Sequence, residues 1–283
     1  MKKAKSKKTI KKAAPPPPAL AGPKVLIYDI ETAPIKAYVW SIWDQNVGLN
    51  QIIEDWHVLS WSAKWLHDPT GKIMYMDNRS AKDVTDDKTI LLGIWKLLDE
   101  ADVVITQNGK HFDQKKLNAR FLYHGFQPPS SSKHIDTKQL ASKHFGFTSN
   151  KLEYMTDRFN TTYKKLKHTK FPGFEMWSEC LKGNVEAWKE MEKYNKYDVL
   201  ALEEFYDNII PWDNSINFNL YHDEEDHVCK CGSTEFHKNG FYYTSAGKYQ
   251  KHKCKQCGTE VRDKDNLLSK EKRKSLKVGT PKV

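Results

Sequence analysis

Long apolar runs are missing from this chain of 283 residues. No stretch reaches the roughly 18 consecutive apolar residues that a membrane-spanning helix needs, which excludes that class. Cysteine is scarce: there are five, four of them in two tight pairs near the C-terminus, with Cys180 alone. That pattern excludes a secreted disulfide scaffold and suits a metal site in a reducing cytoplasm. No apolar segment follows the N-terminal lysines, so they do not open a signal peptide. No internal repeat is present, which excludes a solenoid. Acidic residues are absent from residues 1–23, which carry seven Lys.

Apolar and aromatic residues are plentiful, at 39% hydrophobic with nine Trp and thirteen Tyr. That is enough for one sizeable core and a small appendage, and too much for a disordered chain. The net charge of +10 is unevenly placed: +7 on residues 1–23, +5 on 227–262 and +4 on 263–283, which leaves −6 on 24–226. An acidic body between basic ends fits a polyanion binder whose grip lies outside the body, and the body alone is expected to hold nucleic acid poorly.

Residues 1–23 read as a disordered basic arm whose AAPPPPALAGP segment favours a polyproline spacer. Order is expected from Lys24, where KVLIYDI reads as a buried strand. Strands are predicted at 55–66, 72–77, 102–108 and 134–138. Helices are predicted at 86–101, 112–125, 152–160 and 184–209. This pattern predicts an α/β fold, a mixed sheet with helices on its faces, over residues 24–212. An acidic linker (213–226), a small cysteine-bearing domain (227–262) and a charged flexible tail (263–283) follow.

Four carboxylates and a tyrosine stand out. Asp29 and Glu31 lie two apart on the first strand, so their side chains share a face. Tyr194 and Asp198 lie four apart on the longest helix and share a face there. Asp113 sits where the loop NGKH enters a helix, placed to cap it and to reach the sheet edge. Carboxylates gathered without bases repel and raise one another's pKa, and divalent cations remove that penalty. A cation pair held this way hydrolyses phosphodiesters.

The segments LIYDIETAP, TQNGKHFDQKKLNAR and YNKYDVLALEEFY resemble the Exo I, Exo II and Exo III motifs of the DEDD-superfamily 3′–5′ exonucleases. The likeness covers roughly residues 24–212. Tyr194 in place of a histidine resembles the tyrosine subtype, related to the exonuclease domain of family-B DNA polymerases and to stand-alone phage-type proteins. The resemblance implies an RNase H-like fold and two Mg²⁺ or Mn²⁺ ions about 4 Å apart. Asp29 would contact both ions, Glu31 and Asp198 the ion that activates water, and Asp113 the other ion through water. Tyr194 would orient the attacking water rather than ionise, since a phenol near pKa 10 is a poor base at neutral pH.

The resemblance also implies a substrate of DNA, single-stranded 3′ ends first, in replication, repair or recombination. A separate DNA polymerase or replication protein would be a partner, no membrane would be involved, and the setting would be the cytoplasm of a bacterial host for a phage protein. RNA or structure-specific cutting is the second reading, and a non-catalytic recruiting module is the rival of a different class. Asn108 either orders its loop or contacts substrate, and His111 reads as a loop residue. Trp40 and Trp43, on the irregular AYVWSIWDQN, are the candidates for stacking on a terminal base. Core packing is expected of the other tryptophans nearby and of Phe112.

Cys229-Lys-Cys231-Gly and Cys254-Lys-Gln-Cys257-Gly stand 22 residues apart. Thiolate pairs on two knuckles suit one tetrahedral structural Zn²⁺, which would fold a segment too small for a core of its own. The stretch between them alternates aromatic and polar residues and predicts a hairpin with turns near NG and AGK. It resembles the zinc ribbons of transposase-associated proteins, except that its first knuckle is C-x-C rather than C-x-x-C. Four cysteines are the expected ligand set, and the short knuckle leaves His227 as the alternative to Cys229, with His237 and His252 behind it. Tyr242, Tyr243 and Lys253 are candidate nucleic-acid contacts, with protein docking as the competing role.

Overall fold

The computed structural model describes residues 22–167, 170–222 and 226–280. Apart from Gly22 and Pro23, the expected basic arm lies outside them. In chain order the strands and helices are β1 (Val25–Thr32), β2 (Lys36–Ala37), β3 (Ile52–Glu54), β4 (Val58–Trp65), β5 (Met74–Asp77), α1 (Lys88–Glu100), β6 (Val103–Thr106), α2 (Asp113–Tyr123), β7 (Lys133–Asp136), α3 (Thr137–His144), α4 (Leu152–Phe159), α5 (Glu175–Leu181), α6 (Val185–Ile209), β8 (Phe236–Thr244), β9 (Gly247–Cys254), β10 (Glu260–Arg262) and α7 (Lys270–Ser275).

A five-stranded sheet in the order β5-β4-β1-β6-β7 forms the centre. β4 and β5 run antiparallel to their neighbours, while β1, β6 and β7 are parallel. The mixed α/β expectation is met. The alternation of β1 decides what each face carries. Leu26, Tyr28 and Ile30 pack with Ile90, Leu91 and Ile94 of α1 and Leu117 and Phe121 of α2. Val25 and Ile27 point the other way, into a core with Val199, Leu202, Phe205 and Tyr206 of α6. Asp29 and Glu31 continue this second row, so the face that meets α6 turns from apolar to acidic along a single strand.

α6 is long because its apolar positions recur at helical spacing for 25 residues, and the Asn184 side chain caps it by accepting from the Glu186 and Ala187 N–H groups. A buried ion pair ties it to the sheet: the Lys64 ammonium of β4 donates to both Glu203 oxygens at 2.7 and 2.8 Å.

The C-terminal segments differ from expectation in three places. The linker is not a free tether, because Phe218 is buried in the main core and Asp213 is buried against Tyr206 and Lys230. Asn239-Gly240 is a bulge inside β8 rather than a turn. Gly240 takes a positive φ of 71° there, and the hairpin turns later, before Gly247. The charged tail is partly ordered: Asp263 and Leu267 donate backbone hydrogen bonds to Gln250 and Lys248, and α7 follows with Ser269 as its cap. Among the described residues no helix is long and apolar enough to cross a membrane.

Candidate active site and cysteine centre

The acidic end of β1 meets the middle of α6. Ligand oxygens of Asp29, Glu31 and Asp198 all lie within 4.8 Å of one another. Opposite the two β1 carboxylates, β4 presents Ser62 and Ser60, small residues that leave the space open. Tyr194, one turn before Asp198, is buried on the same side of α6. Asp113 is the first residue of α2 rather than its cap, a position taken by Phe112. Its Oδ1 instead accepts from the Ile30 N–H at 3.1 Å, which fastens it to the strand between Asp29 and Glu31. Asp113 thus borders the trio without belonging to it.

Burial sets the electrostatics. It pushes Asp29 well above the ordinary carboxylate range, with Asp113, Asp198 and Glu31 adding to the effect. Burial and the Asp198 charge push Glu31 up to about 8. Burial takes Asp113 to about 7 against the restraint of the Ile30 N–H. Asp198 is also raised by burial, although Lys165 holds it back. Burial alone would depress the Lys165 ammonium; Asp198, Tyr194 and Asp29 outweigh that and raise it. The Tyr194 phenol is raised by burial and by Asp198, so it stays protonated.

This donor set fits a hard cation. Asp198 Oδ1 is buried and has no hydrogen-bond partner, while its Oδ2 is clamped by the Lys165 ammonium. The pocket therefore already recruits positive charge and retains an unused oxygen.

Three site residues were not found by sequence reasoning. Asn195 donates to Asp29 Oδ2 at 2.6 Å and fixes its orientation. It is fully buried and falls in the stripe Met191, Asn195, Asp198, Leu202, so a polar residue at a buried helical position was the available signal. Trp177 of α5 donates its indole N–H to Glu31 at 3.1 Å and packs edge-on to Tyr194. Lys165 lies 4.3 Å from the Tyr194 ring centre. Neither had a signal: α5 was not predicted, and Lys165 is one lysine among several in its segment.

The other candidates are more dispersed. Asn108 adopts a positive φ of 66°, donates its N–H to Asp136 at 3.0 Å and accepts from the Lys138 ammonium at 3.2 Å. Beside it Gly109 is obligatory, since a Cβ there would stand 2.1 Å from Thr106 Oγ1. Both readings of Asn108 therefore stay compatible with its place, a strained loop residue beside the carboxylates. Trp40 and Trp43 are 97% and 76% exposed, on the loop joining β2 to β3. Phe112, expected in the core, is 39% exposed because it sits at the open start of α2.

In the second centre, the Sγ atoms of Cys229, Cys231, Cys254 and Cys257 lie within 4.8 Å of one another. That is a donor set for a soft tetrahedral cation. None of the three histidines belongs to it, and His227 packs edge-on against Phe236. Burial works against a Cys254 thiolate, but the Cys257 and Gln256 N–H groups outweigh it and bring the thiol to about 6. The short first knuckle has a physical explanation. Its middle residue, Lys230, is directed away from the cluster and into the body, where it meets the Asp213 carboxylate at 3.0 Å and donates to the Asp213 carbonyl at 2.6 Å. On the hairpin Tyr242 and Tyr243 are exposed, and Lys253 is half-buried opposite His237 and Glu260.

A family model of the RNase_H superfamily matches residues 66–210. The match takes in Asp113, Tyr194 and Asp198 and begins after β1. No curated protein matches the chain in sequence. Among solved structures it is similar to the family B DNA polymerase from the hyperthermophilic archaeon Pyrobaculum calidifontis, with 15% identity and a TM-score of 0.46 over 71% of this chain. The chain spans 26% of that polymerase's length.

Proposed function

The chain belongs to the RNase_H superfamily, and from that premise we propose that it is a metal-dependent 3′–5′ exonuclease that hydrolyses DNA, single-stranded ends first, to nucleoside 5′-monophosphates. The observation that carries the reading is the trio Asp29, Glu31 and Asp198 with their oxygens within 4.8 Å, bordered by Asp113 on the Ile30 N–H and by protonated Tyr194.

These carboxylates would hold two Mg²⁺ or Mn²⁺ ions, which would supply an activated water and charge for the leaving oxygen. The chain's own groups do the rest. Asn195 fixes the Asp29 carboxylate and Trp177 fixes Glu31, so the oxygens are oriented before substrate arrives. Tyr194 keeps its proton and orients the attacking water. Lys165 is placed to exchange Asp198 for a phosphate oxygen. The water oxygen gives up a proton to solvent and bonds to phosphorus as the P–O3′ bond breaks, and the 3′ oxygen takes a proton from solvent to leave as a hydroxyl.

Exposure of Trp40 and Trp43 on the β2–β3 loop supports their stacking on the terminal bases. The thiol cluster supports one structural Zn²⁺, which is consistent with a reducing cytoplasm. Exposed Tyr242 and Tyr243, with Lys253 farther along the same hairpin, support a ribbon that touches nucleic acid. A separate polymerase or replication protein is the partner class this activity implies, and phage replication or repair a setting for it.

The test is to incubate full-length protein and Mn²⁺ with 5′-labelled single-stranded DNA, duplex DNA and RNA. A ladder descending from the 3′ end on single-stranded DNA is expected. Faster loss of RNA reassigns the substrate, internal cuts in a circular strand make it an endonuclease, and no cleavage of any substrate leaves a recruiting module.

A further inference from the structure

We propose that the body carries its own phosphate-binding groove, which crosses the carboxylate floor and takes a single polynucleotide strand along its backbone. The proposal deepens the hydrolytic reading and rests on it.

Three hollows join to form the groove. The central one, about 330 Å³, is lined by Asp29 and Asp198 together with Asn108, Lys138, Lys151 and Lys165. It shares Asn108 and Lys138 with a second hollow of about 450 Å³ that adds Lys143 of α3. It shares Lys151 and Lys165 with a third, about 470 Å³, that adds Arg158, Lys164 and Lys167. Seven Lys or Arg side chains line the three together, against Glu153 and Asp157 as the only acids outside the floor. This enrichment occurs in a body whose net charge is −6.

Only Lys164 and Lys165 of the seven have a carboxylate partner among the described residues. The other five present unneutralised charge on both sides of the site. The first side is preorganised: the Lys138 ammonium is held at 3.2 Å by Asn108 Oδ1, and Asn108 is pinned in turn by Asp136. On the second side the Arg158 guanidinium lies on the Tyr154 ring at 3.6 Å, a stacked pose that holds it in place. A row of fixed cations either side of a metal-binding floor matches a strand with one charge per nucleotide, threaded so that one phosphate rests on the carboxylates. The sparse aromatic content of the hollows argues for contact with the backbone rather than the bases. The negative net charge of the body therefore does not describe the surface that meets substrate.

The test uses the whole zinc-loaded chain and a fluorescent single-stranded oligonucleotide in buffer without Mg²⁺, Mn²⁺ or chelator, which stops hydrolysis and keeps the cysteine module folded. Affinity is measured against salt for wild type and for the double variants Lys138→Ala/Lys143→Ala and Lys151→Ala/Lys167→Ala, with melting temperatures to verify folding. Each pair should flatten the slope of log K against log salt by about 1.4, at about 0.7 for each phosphate contact on a single strand. With Mn²⁺ the same variants should raise KM for single-stranded DNA far more than they lower kcat. Unchanged slopes in both pairs overturn the groove, as does displacement of the oligonucleotide by poly-glutamate of equal charge, which would reassign the surface to an acidic protein segment. Hydrolysis of bis(p-nitrophenyl) phosphate by wild type tests the chemistry separately: with no hydrolysis the nuclease reading fails even where the slopes fall.

Discussion

The two clusters of ligand atoms in this chain stand in opposite relation to the fold. The carboxylate trio is brought together by two elements far apart in sequence, β1 and α6, with Asp113 delivered by a third, α2. Folding comes first, and it leaves a buried acidic pocket that raises the pKa of every carboxyl in it. The cysteine cluster draws all its ligands from residues 229–257, in a module whose strands are mostly exposed or half-buried. There, on the zinc assignment proposed above, the module folds only when its ligands hold the metal. One centre is made by a core, whereas the other substitutes for one, and the same operation should therefore affect them oppositely.

The largest effect is expected at the thiols. Stripping Zn²⁺, or Cys257→Ser, should abolish amide protection across β8–β10, since structural zinc in modules of this kind contributes on the order of 10 kcal/mol. Hydrogen exchange checks this, with about one zinc per chain expected beforehand. Protection in β8–β10 that survives zinc removal would erase the contrast. At the other centre Asp198→Asn should lower DNA cleavage on the order of 10³-fold, yet leave the melting temperature of the zinc-loaded protein without Mg²⁺ or Mn²⁺ no lower than that of wild type, because it removes one of the crowded charges. A matching loss of stability would mean that the carboxylates hold the fold together.

The body's own stability is sensitive elsewhere. Lys64→Ala strands Glu203 on α6 and should cost about 3–5 kcal/mol in denaturant unfolding; a loss within 1 kcal/mol would show that the pair contributes little. The smallest effect concerns pH. Carboxyls raised on folding stabilise the metal-free protein most below the ordinary carboxylate range, and that contribution is lost as pH rises through the folded values, about 7 for Asp113 and about 8 for Glu31. Metal binding needs these groups ionised. The gain in melting temperature given by Mn²⁺ should therefore grow through that window and level off above about pH 8. A gain independent of pH would place the bound ion elsewhere.

Local pattern carried most of the fold into the sequence. The period of two in VLIYDIET assigns Asp29 and Glu31 to the face of Val25 and Ile27, and the 3.6-residue period of α6 sets Tyr194 and Asp198 on one side. Residues whose role depends on another element were not legible. Trp177 reaches Glu31 only because α5 packs on α6, and Lys165 gains its partner through a loop without periodicity. The Asn-Gly pair in β8 signals a turn, but the strand runs on through a bulge because its pairing with β9 continues on both sides. The burial of the linker's start was hidden for a similar reason: Asp213 and Lys230 of the first knuckle look like ordinary surface charges until the knuckle docks on the body and pairs them.

Counting bound Mn²⁺ on the zinc-loaded protein, by paramagnetic resonance of the free ion, tests the central claim most directly. About two Mn²⁺ per wild-type chain are expected, with both lost or severely weakened in Asp29→Asn while zinc is retained. Absence of Mn²⁺ binding in the wild type, or undiminished binding in the variant, would contradict it.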